Sequence, residues 1–123
     1  QNACTFYGRH VVDENYGGLA FEEEGARCAT LLSDPKDKVM VMGNHGIMII
    51  GDTVAETFNR LYYFERACET YIRALQTGQL LRIIPHEIAT KTSQELADYP
   101  EQDERHLSEL KAILTDEGSN FDK

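Results

Sequence analysis

The chain has 123 residues, 41% of them hydrophobic and 27% charged, which fits one domain burying roughly two thirds of its unfolded surface. A net charge of -9, with Lys36, Lys38 and Arg9 set among acids, argues against nucleic acid, because phosphate binding needs a basic footprint. No apolar run approaches the roughly 20 residues of a membrane span, and no signal-peptide pattern opens the chain.

The chain begins at Gln1, without methionine, and runs almost at once into strand-like residues from Thr5 to Val12. Mature domains tend to start with a few loose polar residues, so this start reads as if something upstream has been removed. Phe6-Tyr7-Gly8-Arg9-His10-Val11-Val12 has the β-branched and aromatic content of a strand. Asn15 and the pair Gly17-Gly18 mark the turn that follows. Glu22 to Leu32 reads as a short helix, with Glu22, Glu23 and Glu24 at the positive end of its dipole and Cys28, Leu31 and Leu32 on an apolar side. Ser33-Asp34-Pro35 ends it.

Val39-Met40-Val41-Met42 and Ile47-Met48-Ile49-Ile50 are continuous apolar runs of strand length, expected to be buried on both faces. Between them lies Gly43-Asn44-His45-Gly46. That connection is too short for a parallel crossover, so the runs are antiparallel or bent segments of one path, which speaks against a purely parallel, doubly wound sheet. An imidazole delivered by two rigid elements, with glycines that allow a close backbone approach, makes His45 the candidate site residue.

A long helix follows. Thr53 and Glu56 form a capping box, Val54, Phe58, Leu61, Cys68, Ile72 and Leu75 mark one apolar face, and Gly78 supplies a left-handed stop. Tyr62, Tyr63 and Phe64 widen the apolar girth, so this helix is expected to cover a sheet and to meet another helix or subunit. Leu80 to Ile84 reads as extended, Pro85 to Ala97 as helical, and Tyr99-Pro100 as a break. A last helix from Glu101 carries Leu107, Leu110, Ile113 and Leu114 on its apolar side, before a frayed tail from Gly118. Cys4, Cys28 and Cys68 are odd in number and widely spaced, which suits free thiols, a reducing compartment and a cytoplasmic location.

Other histidines do not complete a site by pattern. His10, His86 and His106 fall in separate elements at no metal-binding spacing and read as surface or rim residues. Glu22 to Glu24 read as a solvated first turn, since adjacent helical side chains diverge.

From Phe6 onward the chain resembles the class II aldolase/adducin family. The likeness rests on Phe6-Tyr7-Gly8-Arg9, Tyr16-Gly17-Gly18-Leu19-Ala20 with Glu24-Gly25, Asn44-His45-Gly46 and the apolar run to Gly51, then Thr53-Val54-Ala55-Glu56-Thr57-Phe58 and Glu65-Arg66-Ala67-Cys68. It covers most of residues 1–78, and the residues after about 80 resemble the C-terminal helices of bacterial adducin-like members more weakly. The resemblance implies an α/β fold: an α/β/α sandwich around a mixed, largely antiparallel sheet, present here as a partial domain over residues 1–80. A helical C-terminal extension, residues 81–123, would pack on it or on a neighbouring subunit.

The resemblance further implies a divalent metal, usually zinc, held by three histidines and acting as a Lewis acid on a carbonyl or hydroxyl of a small substrate. His45 stands at the third of those histidines. The family's His-x-His pair, glycine-rich phosphate loop and acid/base carboxylate would lie upstream of the first residue here, whether through truncation or cleavage. The intact parent would then be a metal-dependent lyase on a hydroxy-carbonyl or sugar-phosphate substrate, with the metal incomplete and this chain inactive by itself. The alternative implied is a non-enzymatic, adducin-like oligomerisation module. Expected partners are further copies of the chain, a tetramer by resemblance, or the missing N-terminal half supplied by another chain. Which residues carry catalysis is not legible.

Overall fold

The computed structural model describes residues 1–17, 22–99 and 101–121. A 3-10 helical turn, Asn2–Phe6, leads into strand β1, His10–Asp13. Helix α1, Glu22–Leu31, is followed by β2, Val39–Met42, and β3, Gly46–Ile49. Three helices complete the chain: α2, Val54–Gln76, α3, His86–Ala97, and α4, Gln102–Asp116.

The three strands form one sheet in the order β1-β2-β3. β1 runs parallel to β2, with His10 opposite Val39 and Asp13 opposite Met42. β3 returns antiparallel, with Val39 opposite Ile49 and Met42 opposite Gly46. The sheet is therefore mixed, and the short link around His45 is a hairpin. β1 and β3 are edge strands among the described residues.

β2 is the centre of the molecule. Alternation sends Met40 and Met42 to one face and Val39 to the other, and both Val39 and Met40 have no exposed surface. Met40 and Met42 pack with Cys28 of α1, and Val11, Tyr16, Leu31, Leu32 and Met48 close around them. Burying a side chain such as Met40 contributes about 1.5–3 kcal/mol. β3 departs from the expectation of burial on both faces. Ile47, Met48 and Ile49 are only half-buried, because β3 lies at an edge and has a strand on one side alone.

The first strand is shorter than its composition suggests. Phe6 belongs to the 3-10 turn, Tyr7 and Gly8 turn the chain with Gly8 at φ +65°, and pairing starts at His10. A backbone bond from Arg9 to the Phe6 carbonyl (3.1 Å) closes this turn, and His10 Nδ1 lies 2.8 Å from the same oxygen. The Gly17-Gly18 turn, the break at Pro100 and the end of the tail lie partly outside the described residues.

α2 is set at both ends as the sequence indicates. Thr53 Oγ1 accepts from the Glu56 amide (3.1 Å), while Glu56 Oε2 reaches back to the Asp52 amide (2.6 Å). Gly78, at φ +66°, stops the helix, with its amide on the Leu75 carbonyl. The buried face is another matter. Ala55 and Asn59 are buried, whereas Val54 (79% exposed), Leu61, Ile72 and Leu75 are not. Of the expected apolar face only Phe58, against Tyr62 and His106, and Cys68 are half-buried. Phe64 meets Phe6 edge-on at 5.1 Å, and Tyr62 and Tyr63 enclose His106, so the aromatic group serves as packing. α3 docks on the 3-10 turn and α4 on α2. Leu107 and Leu110 are half-buried beneath α4, but Ile113 and Leu114 are exposed.

The α2–α4 contact is partly polar. Asn59 Nδ2 donates to Asp103, and Asn59 Oδ1 accepts from His106 Nδ1 (2.7 Å). An Asn59→Ala substitution strips two half-buried groups of their shared partner. Urea unfolding should register a loss of about 1–3 kcal/mol, with faster amide exchange along α4 and unchanged protection of the β2–β3 hairpin. Equal loosening of both regions would show that the amide is not what docks α4.

Candidate functional site at the hairpin turn

The turn that carries His45 is seated on the end of β1. The Gly43 amide donates to the Asp13 carbonyl (2.8 Å), extending the parallel pairing by one bond. A Cβ at Gly43 would stand 3.1 Å from that oxygen and 3.2 Å from the Glu14 carbonyl, so glycine is required by the close approach. Asn44 takes a left-handed conformation, φ 58°, which asparagine tolerates better than most residues. The His45 amide then returns to the Met42 carbonyl (3.1 Å). The result is an exposed imidazole at the C-terminal end of the central strand. Its ring lies 4.8 Å from the Tyr16 ring, inclined by 38°.

Tyr16 is held in turn by a charged network. Asp13 is buried, accepts from the Asn15 amide (3.1 Å) and pairs with Arg27 of α1. Arg27 also donates through Nε to Glu24 (3.0 Å), and the Gly17 backbone helps to hold the Glu24 carboxyl low. One guanidinium thus clamps both ends of the segment that presents Tyr16. The hydrogen bond from Arg27 holds the Asp13 and Glu24 carboxyls below their usual range, although burial works to raise them. The same two carboxylates push the Arg27 guanidinium further up.

This network went unseen in the sequence. Glu22 and Glu23 are exposed as a solvated first turn should be, but Glu24 is half-buried and paired. Its signals were present: an acid at the end of an otherwise apolar strand, and an arginine three residues after Glu24 on a helix.

The remaining histidines stay apart from His45. His10 opens β1, at the opposite end of the parallel pair. His86 Nδ1 lies 2.8 Å from the Tyr7 hydroxyl, and His106 sits among Phe58, Tyr62 and Tyr63. His106 is thus half-buried and bonded rather than a rim residue. Among the described residues no three His, Cys, Asp or Glu side chains are grouped to hold a metal ion. Asp13, the acid beside the turn, is already engaged by Arg27 and the Asn15 amide. The described residues therefore offer a metal one imidazole and do not by themselves fit one. Cys4, Cys28 and Cys68 are free thiols, and burial raises that of Cys68, with Glu65 adding to the effect. No helix among the described residues is long and apolar enough to cross a membrane.

Residues 1–72 match the family described as Class II Aldolase and Adducin N-terminal domain. The protein hu-li tai shao of Drosophila melanogaster is 33% identical over 113 residues, 91% of this chain and 10% of that protein. Beta-adducin of Homo sapiens is 34% identical over 65 residues, 46% of this chain and 9% of that protein. The crystal structure of an aldolase II superfamily protein from Pseudomonas syringae superposes with a TM-score of 0.78 at 28% identity, covering 93% of this chain and 45% of that one. The chain thus spans less than half the length of each.

The Arg27 clamp has a pH signature. Both carboxyls lie below their ordinary values of 3.8 and 4.5, so their stabilisation is complete above those values and is lost as pH falls through the lower folded-state ones. The thermal midpoint should decline as pH drops below about 4.5, and Arg27→Gln should flatten that decline while lowering the midpoint at neutral pH. An unchanged acid limb in the variant would remove Arg27 from this role.

Proposed function

This chain belongs to the class II aldolase and adducin family, and we propose that His45 is one ligand of a divalent-metal site, zinc by preference, completed by residues outside these 123. In this reading the intact protein is a metal-dependent lyase acting on a small hydroxy-carbonyl or sugar-phosphate substrate, and residues 81–123 are a helical extension of the family unit in residues 1–80. The observation that carries the reading is the His45 turn itself: an exposed imidazole, free of any core packing, fixed by Gly43 against the end of β1.

One imidazole leaves zinc three positions short of its usual four, so no catalytic step is assigned to this chain alone. A bound divalent metal would supply a Lewis acid for charge developing on a substrate oxygen. What these residues contribute is position: the hairpin sets the backbone of His45, and Tyr16, clamped through Asp13 and Glu24, sets the plane beside its ring.

A second reading has its own support. Beta-adducin and hu-li tai shao are similar over parts of this chain, and α2 exposes Val54, Leu61, Ile72 and Leu75 along one side. An assembly module, with the fold serving association rather than chemistry, would use such a side against further copies or another segment of the protein. Both readings suit a cytoplasmic protein.

Zinc titration of this chain beside a longer version that includes the upstream residues separates the cases. The short chain should bind zinc weakly, and the longer one should hold one equivalent that His45→Ala removes. Tight stoichiometric zinc on the short chain, or zinc in the longer one indifferent to His45→Ala, would overturn the ligand assignment. Zinc bound by the longer protein without aldol cleavage of any sugar phosphate would favour the assembly module.

A further inference from the structure

At the other end of the sheet, remote from His45, three cations converge through backbone bonds. The Lys38 amide donates to the Arg9 carbonyl (3.2 Å), the Ile50 amide to the Lys38 carbonyl (3.0 Å), and Arg60 Nη1 to the Ile50 carbonyl (2.7 Å). Arg9, Lys38 and Arg60 all line one partly open cavity of about 210 Å³. It lies between the 3-10 turn, the sheet and helices α2, α3 and α4.

Two carboxylates, Glu56 and Asp103, share the lining, yet both are already engaged. Glu56 pairs with Arg60 and accepts from the Asp52 amide. Asp103 accepts from Asn59, and burial pushes its carboxyl up, toward the neutral form. Arg9 spends its Nε on Ser93 Oγ (3.1 Å). Its two terminal amino groups, and the ammonium of Lys38, have no hydrogen-bond or ion-pair partner among the described residues. Lys38 instead acts through space on Glu56, whose carboxyl burial tends to raise but the Asp52 amide, Arg60 and Lys38 together hold low. Two half-buried cations in a small cavity, in a chain of net charge -9, are an unusual use of positive charge. An anion satisfies both: a guanidinium fork matches a carboxylate's two oxygens, and the ammonium adds a point charge.

The remaining wall decides the kind of anion. Phe6, Tyr63 and Leu96 give the cavity carbon surface that a spherical oxyanion cannot match, while Asn2, Thr5 and Gln102 offer further polar partners for a ligand with a second polar end. The volume is below the roughly 300–1,000 Å³ common for larger ligands. We propose that this cavity is a binding site for a short organic carboxylate, with Arg9 and Lys38 as its anion-holding residues and Phe6, Tyr63 and Leu96 against its carbon chain. The site is independent of His45 and of any metal there.

Amide chemical-shift titration of the 123-residue chain with succinate, and in parallel with inorganic phosphate at equal ionic strength, tests this. Succinate should give saturable shifts at Phe6, Lys38 and Leu96. Lys38→Met should weaken it ~10-fold or more at an unchanged thermal midpoint, and His45→Ala should leave it intact. Should Lys38→Met lose its fold, Arg9→Gln, which keeps a donor for Ser93, serves the same purpose. Shifts that never saturate, phosphate binding as tightly as succinate, or full affinity in a folded Lys38→Met or Arg9→Gln variant would each overturn the assignment.

Discussion

A strand covered on both faces can exist only if something lies above it and something below. Val39 and Met40, neighbours in β2 and opposite in direction, are both sealed from water. On the methionine face that requirement is met by α1, which brings Cys28, Leu31 and Leu32 over Met40 and Met42, while α2 meets the sheet at β3. β1 and β3 flank the strand and satisfy its backbone.

The same strand divides the molecule into two ends with different chemistry. At its C-terminal end the chain leaves through Gly43 and delivers His45 beside Tyr16, with the Asp13–Arg27–Glu24 clamp behind them. At its N-terminal end Lys38, Arg9 and Arg60 gather over the cavity. Neither end depends on the other for position, because each is pinned to the sheet by its own backbone bonds.

Much of this was legible in the sequence, and the reasons differ by element. The hairpin followed from loop length, since no parallel crossover fits four residues. The limits of α2 followed from local chemistry: Thr53, Glu56 and Gly78 act within a turn of themselves. The buried side of α2 did not follow, because it holds a small residue and a polar one, Ala55 and Asn59, which no apolar periodicity marks. Phe6 and Tyr7 have strand propensity, but Gly8 at positive φ overrides it. For the site, His45 stood out by its setting between apolar runs. Arg27 and Asp13 did not, being 14 residues apart and joined only by the packing of α1 onto β1. The likeness to relatives was carried by Asn44-His45-Gly46 and the start of α2, segments whose geometry is local and therefore reads through a single chain.

The open sides of the sheet carry one more consequence. β1 begins with His10 and ends with the charged Asp13, whereas Gly46-Ile47-Met48-Ile49 has no lysine, no proline and no ionisable group. Proteins normally blunt an outermost strand with such residues to prevent cross-β growth. Among the described residues no strand pairs with the outer side of β3, and nothing in its side chains would repel one. Left bare in concentrated solution, that margin is where fibrous self-assembly would start; covered by a further strand, it is where the sheet would be continued.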